Sequence, residues 1–220
     1  MIKDIRIGHG YDVHAIASGY PMWLCGIKVD SENGFVAHSD GDVAIHALCD
    51  ACLGALALGD IGKHFPDNSD EFKGIDSKIL LSRVMRLVEE NGFRIGNADI
   101  TIALQKPKLA GYIPQMRQCL AEILKVDASR ISVKATTTEG LGFVGRREGC
   151  EVWATVLIIK ELFFTDIKTR HTFFAFLHFS IAYFKKKCEI CSPIEIWCNG
   201  STTDSGSVSE GSNPSISTKP

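Results

Sequence analysis

The amino-acid sequence predicts a mixed α/β domain over residues 1–160, followed by a tail of a different character. As far as residue 160, segments of strand-like and helix-like hydrophobic period alternate, with glycines between them. That length is ordinary for one domain, and the 45% hydrophobic content of the chain is enough for one good core. Beyond residue 160 the pattern stops and the composition changes.

The first part of the domain predicts two strands and then a long helix. Residues 4–14 and 22–29 have the composition and alternation of strands. Residues 40–59 predict a helix, and Ser39 or Asp40 can cap its start. The apolar positions at helical spacing in this segment are Val43, Ala44, Ala47, Leu48, Ala51 and Leu58.

The middle of the domain predicts a helix, a strand and a second helix. Residues 76–91 form an amphipathic pattern that Gly92 ends, as glycine commonly does at a helix C-terminus. Residues 93–105 predict a strand. Residues 113–126 predict a helix with Pro114 in its first turn, where a missing N–H costs nothing.

The domain ends with two predicted strands, residues 131–137 and 151–160, and the second is the β-branched run VWATVLIIK. The tail that follows, residues 161–220, begins with the Phe-rich segment HTFFAFLHFSIAYFKKK, which has no clean period. This segment is shorter than the roughly 20 residues that a membrane-spanning helix needs. The end of the chain is rich in Ser, Gly and Thr, so we expect the tail to be disordered or to be read-through sequence.

Charge and cysteine content narrow the class of protein. The net charge of −2 gives no general attraction to nucleic acid or to an anionic membrane, and we expect neither as a partner. The eight cysteines are scattered, and the early ones lie in apolar segments, which favours free thiols in a reducing cytoplasm. Patterned sequence begins within a few residues of Met1, so we expect no secretory leader.

Asp and His residues recur at close spacing in two segments, and they could form a metal site. Asp12 and His14 are two apart on a predicted strand and therefore share a face, and His46 lies on the helix that follows. Two imidazoles and a carboxylate are a zinc-type ligand set that leaves a fourth position open. The alternative is a group of ordinary polar positions. Helix capping can explain why Asp40 and Asp42 are present, but it does not explain a histidine at position 46, inside the predicted helix. The spacing therefore leaves both interpretations open.

Three other polar segments fall at predicted loops. Residues 59–67 are dense in glycine and acids, and Lys106 and Lys108 flank a proline at a strand end. Residues 134–143, KATTTEGLGF, offer hydroxyls and a carboxylate that suit phosphate oxygens and a hard cation such as magnesium, although a Thr-rich strand end explains them too. The sequence contains no G-x-x-x-x-G-K-[ST] phosphate-binding loop.

Five motifs together make the chain resemble a known family. IGHGYDVH, AHSDGDVAIHAL, ALGDIGKHFPD, IPQM and VKATTTEGLGFVGR occur in the order and at the separations found in 2-C-methyl-D-erythritol 2,4-cyclodiphosphate synthases of the non-mevalonate isoprenoid pathway. The resemblance covers residues 5–160. It implies a single small α/β domain of the α+β type, with a mixed β-sheet and helices packed on one face. It also implies a homotrimer with active sites at the subunit interfaces.

The resemblance further implies a reaction and its metal ions. The family is a phosphorus–oxygen lyase that converts 4-diphosphocytidyl-2-C-methyl-D-erythritol 2-phosphate into the 2,4-cyclodiphosphate. The 2-phosphate attacks the β-phosphate, and CMP leaves. Asp12, His14 and His46 match the ligands of Zn²⁺ or another divalent transition metal. Glu139 matches a ligand of Mg²⁺ or Mn²⁺, and Thr137 belongs with these catalytic positions.

The positions that the resemblance assigns to substrate binding are His38, Ser39, Asp60, Gly62, Asp67, Leu104, Lys108, Leu109, Ala135, Thr136, Thr137, Phe143 and Arg146. Among them His38 and Ser39 match a loop that covers the substrate, and residues 60–67 match the segment that holds the methylerythritol phosphate. The positions that match the cytidine pocket are Leu104, Lys108, Leu109, Ala135, Thr136 and Thr137. Arg146 matches a residue at the central channel of the trimer, where the family can hold an isoprenoid diphosphate.

Two other functions would fit parts of this pattern. A zinc-dependent phosphohydrolase could use the same three ligands with water as the nucleophile, and it would release free phosphate. A non-catalytic trimer could bind isoprenoid diphosphates alone. One further expectation concerns Asp50, one turn beyond His46, which could orient a metal-binding imidazole from behind or could simply contact solvent.

Overall fold

The computed structural model describes residues 4–66 and 74–160. The strands in these ranges are β1 (Ile5–Ser18), β2 (Met22–Leu24), β3 (Ile27–Val29), β4 (Asn33–Phe35), β5 (Phe93–Ala103), β6 (Ile131–Thr136) and β7 (Gly149–Lys160). The α-helices are α1 (Val43–Ala55), the single turn α2 (Ile61–His64), α3 (Ser77–Glu90), α4 (Ile113–Leu124) and the single turn α5 (Gly142–Gly145). Asp67 and the predicted tail, residues 161–220, lie outside the described residues.

Five of the strands form one mixed sheet in the order β4-β1-β7-β5-β6. The pairs within it are antiparallel except for β5 and β6, which are parallel. The long pairing of β1 with β7 runs from Ile5 opposite Ile159 to Ala15 opposite Gly149. This arrangement confirms the predicted mixed α/β domain.

The core lies on the face of the sheet that α1, α3 and α4 cover. Helix α1 contacts β1 and β7, while α3 contacts β5 and α4 contacts β6. Alternate residues of β7, Val152, Ala154, Val156 and Ile158, are fully buried against these helices. On the other face β1 leaves large apolar side chains in solvent: Ile5, Ile7, Tyr11 and Val13 are 43–69% exposed.

Two glycines allow α1 to lie directly on β1. A Cβ atom built on Gly8 would stand 1.8 Å from the carbonyl oxygen of Ala51, and one built on Gly10 would stand 2.0 Å from that of Ala47. These distances are far shorter than any van der Waals contact, so no side chain fits at either position. The glycines of the IGHGYDVH segment therefore set the distance between the strand and the helix.

The predicted strand at residues 22–29 is a hairpin. Cys25 and Gly26 have φ of 53° and 78°, so both central residues of the turn between β2 and β3 are left-handed, as in a type I′ turn. The usual Asn-Gly or Asp-Gly turn sequence is missing here, so the apolar run LCGI was predicted to be part of one continuous strand. The short elements β4, α2 and α5 were not predicted, because each has at most four residues.

The first helix begins later than predicted, and its cap is Asp42 in place of Ser39 or Asp40. The Asp42 carboxylate accepts from the backbone N–H of Ile45 at 3.0 Å. It also accepts from the N–H groups of Cys25 (2.9 Å) and Gly26 (2.6 Å), which fastens the β2–β3 turn to the start of α1. Burial raises the pKa of Asp42 to about 6, while the N–H donors oppose this shift.

We expect Asp42→Ala to lower the free energy of unfolding by about 2 kcal/mol, because three buried N–H groups lose their acceptor. Urea unfolding followed by circular dichroism measures this loss. Asp127→Ala is the control, since Asp127 caps a 3-10 turn at the surface through the N–H of Ser129 and should cost less than half as much. Equal losses in the two variants would contradict the role assigned to Asp42.

None of the helices within residues 4–66 and 74–160 combines the length and apolar character that crossing a bilayer requires.

Candidate active site

Asp12, His14 and His46 converge at one end of the sheet. The first two alternate along β1 and point toward α1, which supplies His46 as its fourth residue. Oδ2 of Asp12 is 3.2 Å from Nε2 of His14 and 3.2 Å from Nδ1 of His46. Two ligands about 2 Å from a common tetrahedral ion are roughly 3.3 Å apart, so the three side chains fit a divalent transition metal.

Each imidazole is oriented by a contact on the side away from this cluster. Nδ1 of His14 lies 3.0 Å from the carbonyl oxygen of Gly41 and can only donate to it, which leaves Nε2 as the free lone pair. Nε2 of His46 lies 3.0 Å from Oγ of Ser77 and 3.2 Å from Oγ of Ser39. Hydrogen bonds behind metal-binding imidazoles are the common arrangement in metalloproteins. The sequence pattern did not point to Gly41 or Ser77.

The expected contact between Asp50 and His46 is not the one that the structure describes. The Asp50 carboxylate accepts from the backbone N–H of Ile61 at 2.7 Å, at the start of α2. Its side chain lines the same cavity as the metal cluster, and burial raises its pKa. Asp50 therefore positions the loop after α1, and the group behind His46 is a hydroxyl.

Burial affects the two histidines differently. It lowers the pKa of His14, and the nearby His46 lowers it further. Burial also acts to lower the pKa of His46, but the hydrogen bond with Asp12 and the charges of Asp12, Asp42 and Asp40 together outweigh this, and the pKa is raised. A metal ion binds only the deprotonated nitrogen, so binding here would compete with protons at His46 in particular.

A cavity of about 290 Å³ opens over the cluster. Its wall consists of Asp12, His14, Ala37, His38, Ser39, His46, Asp50, Ile61, Phe65, Ile75 and Leu80. His38 and Ser39, predicted to cover the substrate, thus border the metal cluster. Asp60 caps the single turn α2 by accepting from the N–H of Lys63 at 3.0 Å, and Gly62 lies in that turn. Their neighbour Ile61 lines the cavity, whereas they do not.

A second cavity of about 180 Å³ lies where β5 and β6 end. All six residues predicted for the cytidine pocket line it: Leu104, Lys108, Leu109, Ala135, Thr136 and Thr137. The hydroxyl of Thr137 donates to the Glu139 carboxylate at 2.7 Å, so the predicted magnesium ligand stands beside this cavity. The wall is largely apolar, with hydroxyl and amine groups at its edge, which suits a nucleoside.

The two cavities share no lining residue and lie at the same end of the sheet. Val13 is opposite Glu151, Glu151 is opposite Ala103, and Ala103 is opposite Thr136. Three strand spacings of about 4.8 Å place Val13 roughly 14 Å from Thr136 across the sheet.

Phe143 and Arg146 lie outside both cavity walls. Arg146 forms a two-pronged ion pair with Glu148, with N–O distances of 2.9 Å, and both side chains are exposed. Phe143 is half-buried in α5, beside Gly149 at the start of β7. The structure does not bring these two residues to the metal cluster.

Comparison with known proteins agrees with this description. The YgbB family matches residues 5–159. A protein of Acinetobacter baumannii (strain AYE) is 57% identical over 158 residues, which are 72% of this chain and 99% of that protein. One of Pseudoalteromonas atlantica is 55% identical over 159 residues, which are 72% of this chain and 98% of that protein. Both are named 2-C-methyl-D-erythritol 2,4-cyclodiphosphate synthase.

Solved structures with the same fold include the bifunctional IspDF of Campylobacter jejuni, with a TM-score of 0.69 and 44% identity over 71% of this chain and 42% of that one. Another is the CDP complex of IspF from Plasmodium falciparum, with a TM-score of 0.64 and 35% identity over 73% of this chain and 99% of that one.

Proposed function

The chain belongs to the YgbB family, and we infer from this that it catalyses the reaction for which its relatives are named, formation of 2-C-methyl-D-erythritol 2,4-cyclodiphosphate. It is thus a lyase of isoprenoid biosynthesis. The substrate is 4-diphosphocytidyl-2-C-methyl-D-erythritol 2-phosphate, whose 2-phosphate attacks the β-phosphorus and displaces CMP. The structural observation that supports this reaction is the convergence of Asp12, His14 and His46 in one cavity.

We propose that these three side chains hold Zn²⁺ and that Glu139 holds Mg²⁺ or Mn²⁺. With cations bound there, the negative charge on the diphosphate would be partly neutralised, which lowers its repulsion toward the attacking phosphate. The donor set supports zinc, since two imidazole nitrogens and one carboxylate oxygen are typical of catalytic zinc sites. Glu139 is exposed and anionic, which suits a harder ion that keeps part of its water shell.

The protein's own contribution is to position the two ends of one molecule. The nucleophile is a phosphate oxygen that is already ionised at neutral pH, so no side chain is needed as a general base. Leu104 and Leu109 would contact the cytosine ring, while Thr136 and Lys108 would contact its polar groups. His38 and Ser39 would hold the methylerythritol phosphate over the metal cluster. Anchoring both ends makes the attack intramolecular and oriented, which can supply several kcal/mol.

We also propose that the active form is a homotrimer in which neighbouring subunits complete each site. The two cavities share no lining residue, and three strand spacings separate Val13, between the cluster residues Asp12 and His14, from Thr136 of the second cavity, roughly 14 Å across the sheet. The exposed apolar face of β1 supports the assembly, because contiguous apolar surface on a monomer commonly marks an interface. Arg146 would line the central channel and could there pair with an isoprenoid diphosphate in place of Glu148.

Replacing Ile7 by Glu should therefore dissociate the trimer and reduce turnover at least about tenfold, because a charge cannot be buried at the interface without a partner. Ile7 is 69% exposed on β1. Ile79→Glu is the matched control, since Ile79 is 48% exposed on α3, on the opposite side of the sheet. Sedimentation velocity should show a shift toward monomers for the first variant alone. A trimer of normal mass in Ile7→Glu would remove this face from the proposed interface.

The cytoplasm is the compartment that we propose for the enzyme. Cys25, Cys49, Cys52, Cys119 and Cys150, the cysteines within the described ranges, are all free, and four of them are buried. Free thiols in the core are typical of a reducing compartment.

Product analysis tests the proposed function. The purified protein is incubated with the cytidylated substrate and Mg²⁺, and the products are separated by anion exchange and followed by ³¹P NMR. We expect CMP and the cyclic diphosphate in equal amounts with no free phosphate. Release of inorganic phosphate would favour the phosphohydrolase, and unchanged substrate would favour the non-catalytic trimer.

A further inference from the structure

We propose that Ser77 is a positioning residue that keeps Nδ1 of His46 available for the metal ion. This inference rests on the metal role proposed above for His46. Ser77 is the first residue of α3, its side chain is completely buried, and its hydroxyl oxygen is 3.0 Å from Nε2 of His46. Among the described residues, the other hydroxyl within hydrogen-bond distance of Nε2 of His46 is that of Ser39, at 3.2 Å.

The direction of the hydrogen bond between Ser77 and His46 is set by Asp40. The Ser77 hydroxyl donates to Oδ1 of Asp40 in a short contact, and the Ser77 backbone N–H donates to Oδ2 of the same carboxylate at 3.0 Å. A hydroxyl has a single proton, so one that donates to Asp40 can only accept from His46. Nε2 of His46 must then carry the proton.

This arrangement opposes a competing hydrogen bond on the other side of the ring. Oδ2 of Asp12 lies 3.2 Å from Nδ1 of His46 and would, in the absence of a metal ion, favour a proton on that nitrogen. A neutral imidazole with its proton on Nδ1 cannot use that nitrogen as a ligand. The chain from Nε2 through Ser77 to Asp40 favours the opposite tautomer, so the ring faces the cluster with a lone pair.

Ser39 could accept from Nε2 as well, but its surroundings differ. Its hydroxyl is 3.2 Å from Nε2 and accepts from the backbone N–H of Gly41 at 3.2 Å, and its side chain lines the cavity that the substrate would fill. Contact with a substrate phosphate would require the Ser39 hydroxyl to turn away from His46. Ser77 lies outside the substrate's reach, so it can hold the imidazole proton throughout the reaction.

Metal affinity tests the role of Ser77 without relying on turnover. Zinc is titrated into metal-free full-length protein in competition with a chromogenic chelator, for the wild type, Ser77→Ala, Asp40→Ala and the double variant. We expect each single variant to bind zinc about tenfold more weakly. The double variant should bind no more weakly than the weaker of the two, because both changes break one chain. The visible spectrum of bound Co²⁺ should change in the same three variants.

Ser82→Ala is the matched control, since Ser82 lies on the same helix and its exposed hydroxyl donates only to the carbonyl oxygen of Lys78 at 2.7 Å. Its zinc affinity and Co²⁺ spectrum should equal those of the wild type. Thermal melts of the metal-free proteins show whether a variant that binds zinc weakly is still folded. If Ser77→Ala does not fold, the zinc affinity of Asp40→Ala is the deciding measurement. Wild-type zinc affinity in Ser77→Ala or, in that case, in Asp40→Ala would overturn the inference. Failure of the wild type itself to bind any divalent metal would overturn the proposed metal site, and this inference with it.

Discussion

His46→Ala is expected to abolish metal binding and to lower turnover by about 10³-fold or more, since it removes one of the three proposed ligands and leaves the developing charge without its counter-ion. The fold should persist, because the imidazole lies at the cavity wall while Ile45, Ala47 and their apolar neighbours form the packed face of α1. Metal content of the purified protein by mass spectrometry is the direct measurement, and the melting temperature of the metal-free protein reports the fold.

His64→Ala is the control for this experiment. His64 is also a half-buried histidine, but its Nε2 lies 3.2 Å from the carbonyl oxygen of Leu58 and it does not belong to the cluster. The control should retain a full complement of metal. If His46→Ala retained it as well, His46 would not be a ligand and the proposed site would have to be rebuilt around Asp12 and His14.

Gly10→Ala should destabilise the protein by about 3 kcal/mol, the upper end of the range that is typical when an atom is forced into a packed core. The added methyl carbon would stand 2.0 Å from the carbonyl oxygen of Ala47 and 2.7 Å from the amide nitrogen of Ala51. Both are backbone atoms of a helix and cannot rotate away, so α1 as a whole must move off β1. Denaturant unfolding gives the loss of stability, and zinc titration should show weaker binding because the strand and the helix carry different ligands.

The same pair of elements supplies the control for Gly10. Gly54 lies in α1, and a Cβ there would be 3.8 Å from the carbonyl oxygen of His9, which is an ordinary contact. Gly54→Ala should therefore stabilise the protein by about 0.5–1 kcal/mol, because alanine is the better helix former. A Gly10→Ala variant as stable as the wild type would mean that α1 can shift without cost.

The convergence of Asp12, His14 and His46 could be expected from local periodicity, which left open whether they bind a metal ion, whereas their supporting contacts could not be predicted. The two-residue period of a strand places Asp12 and His14 on one face, and a histidine within an apolar helix is unusual enough to single out His46. Ser77 joins the site from 31 residues further along the chain. Ser77 directly follows Asp76, which caps α3, so the sequence around it indicates only an ordinary helix start.

For the fold as well, features set by residues close together in the sequence were predicted, and features set by residues far apart were not. The long helices and strands were predicted to within a few residues, because each carries several turns or alternations of apolar residues. The predicted start of α1 was wrong, since Asp40 and Asp42 are equally good helix caps by residue type. Asp42 is the cap because the β2–β3 turn brings two further N–H groups to its carboxylate. The Asp40 carboxylate accepts instead from the backbone N–H of Ser77. The residues that line the second cavity were brought together only by the resemblance, since they come from two separate strand ends.

The pairing of β1 with β7 has a consequence for how the enzyme is made. Ile5 is opposite Ile159, so the central ladder of the sheet joins the first and last described strands of the domain. A ribosome must therefore synthesise the chain through the whole of β7 before β1 gains that neighbour, and the long separation in sequence makes closure of this ladder a slow step. Asp12 and His14 lie within the same ladder, opposite Val152 and Cys150. A nascent chain halted before residue 149 would contain all three proposed metal ligands and would lack the strand that aligns two of them.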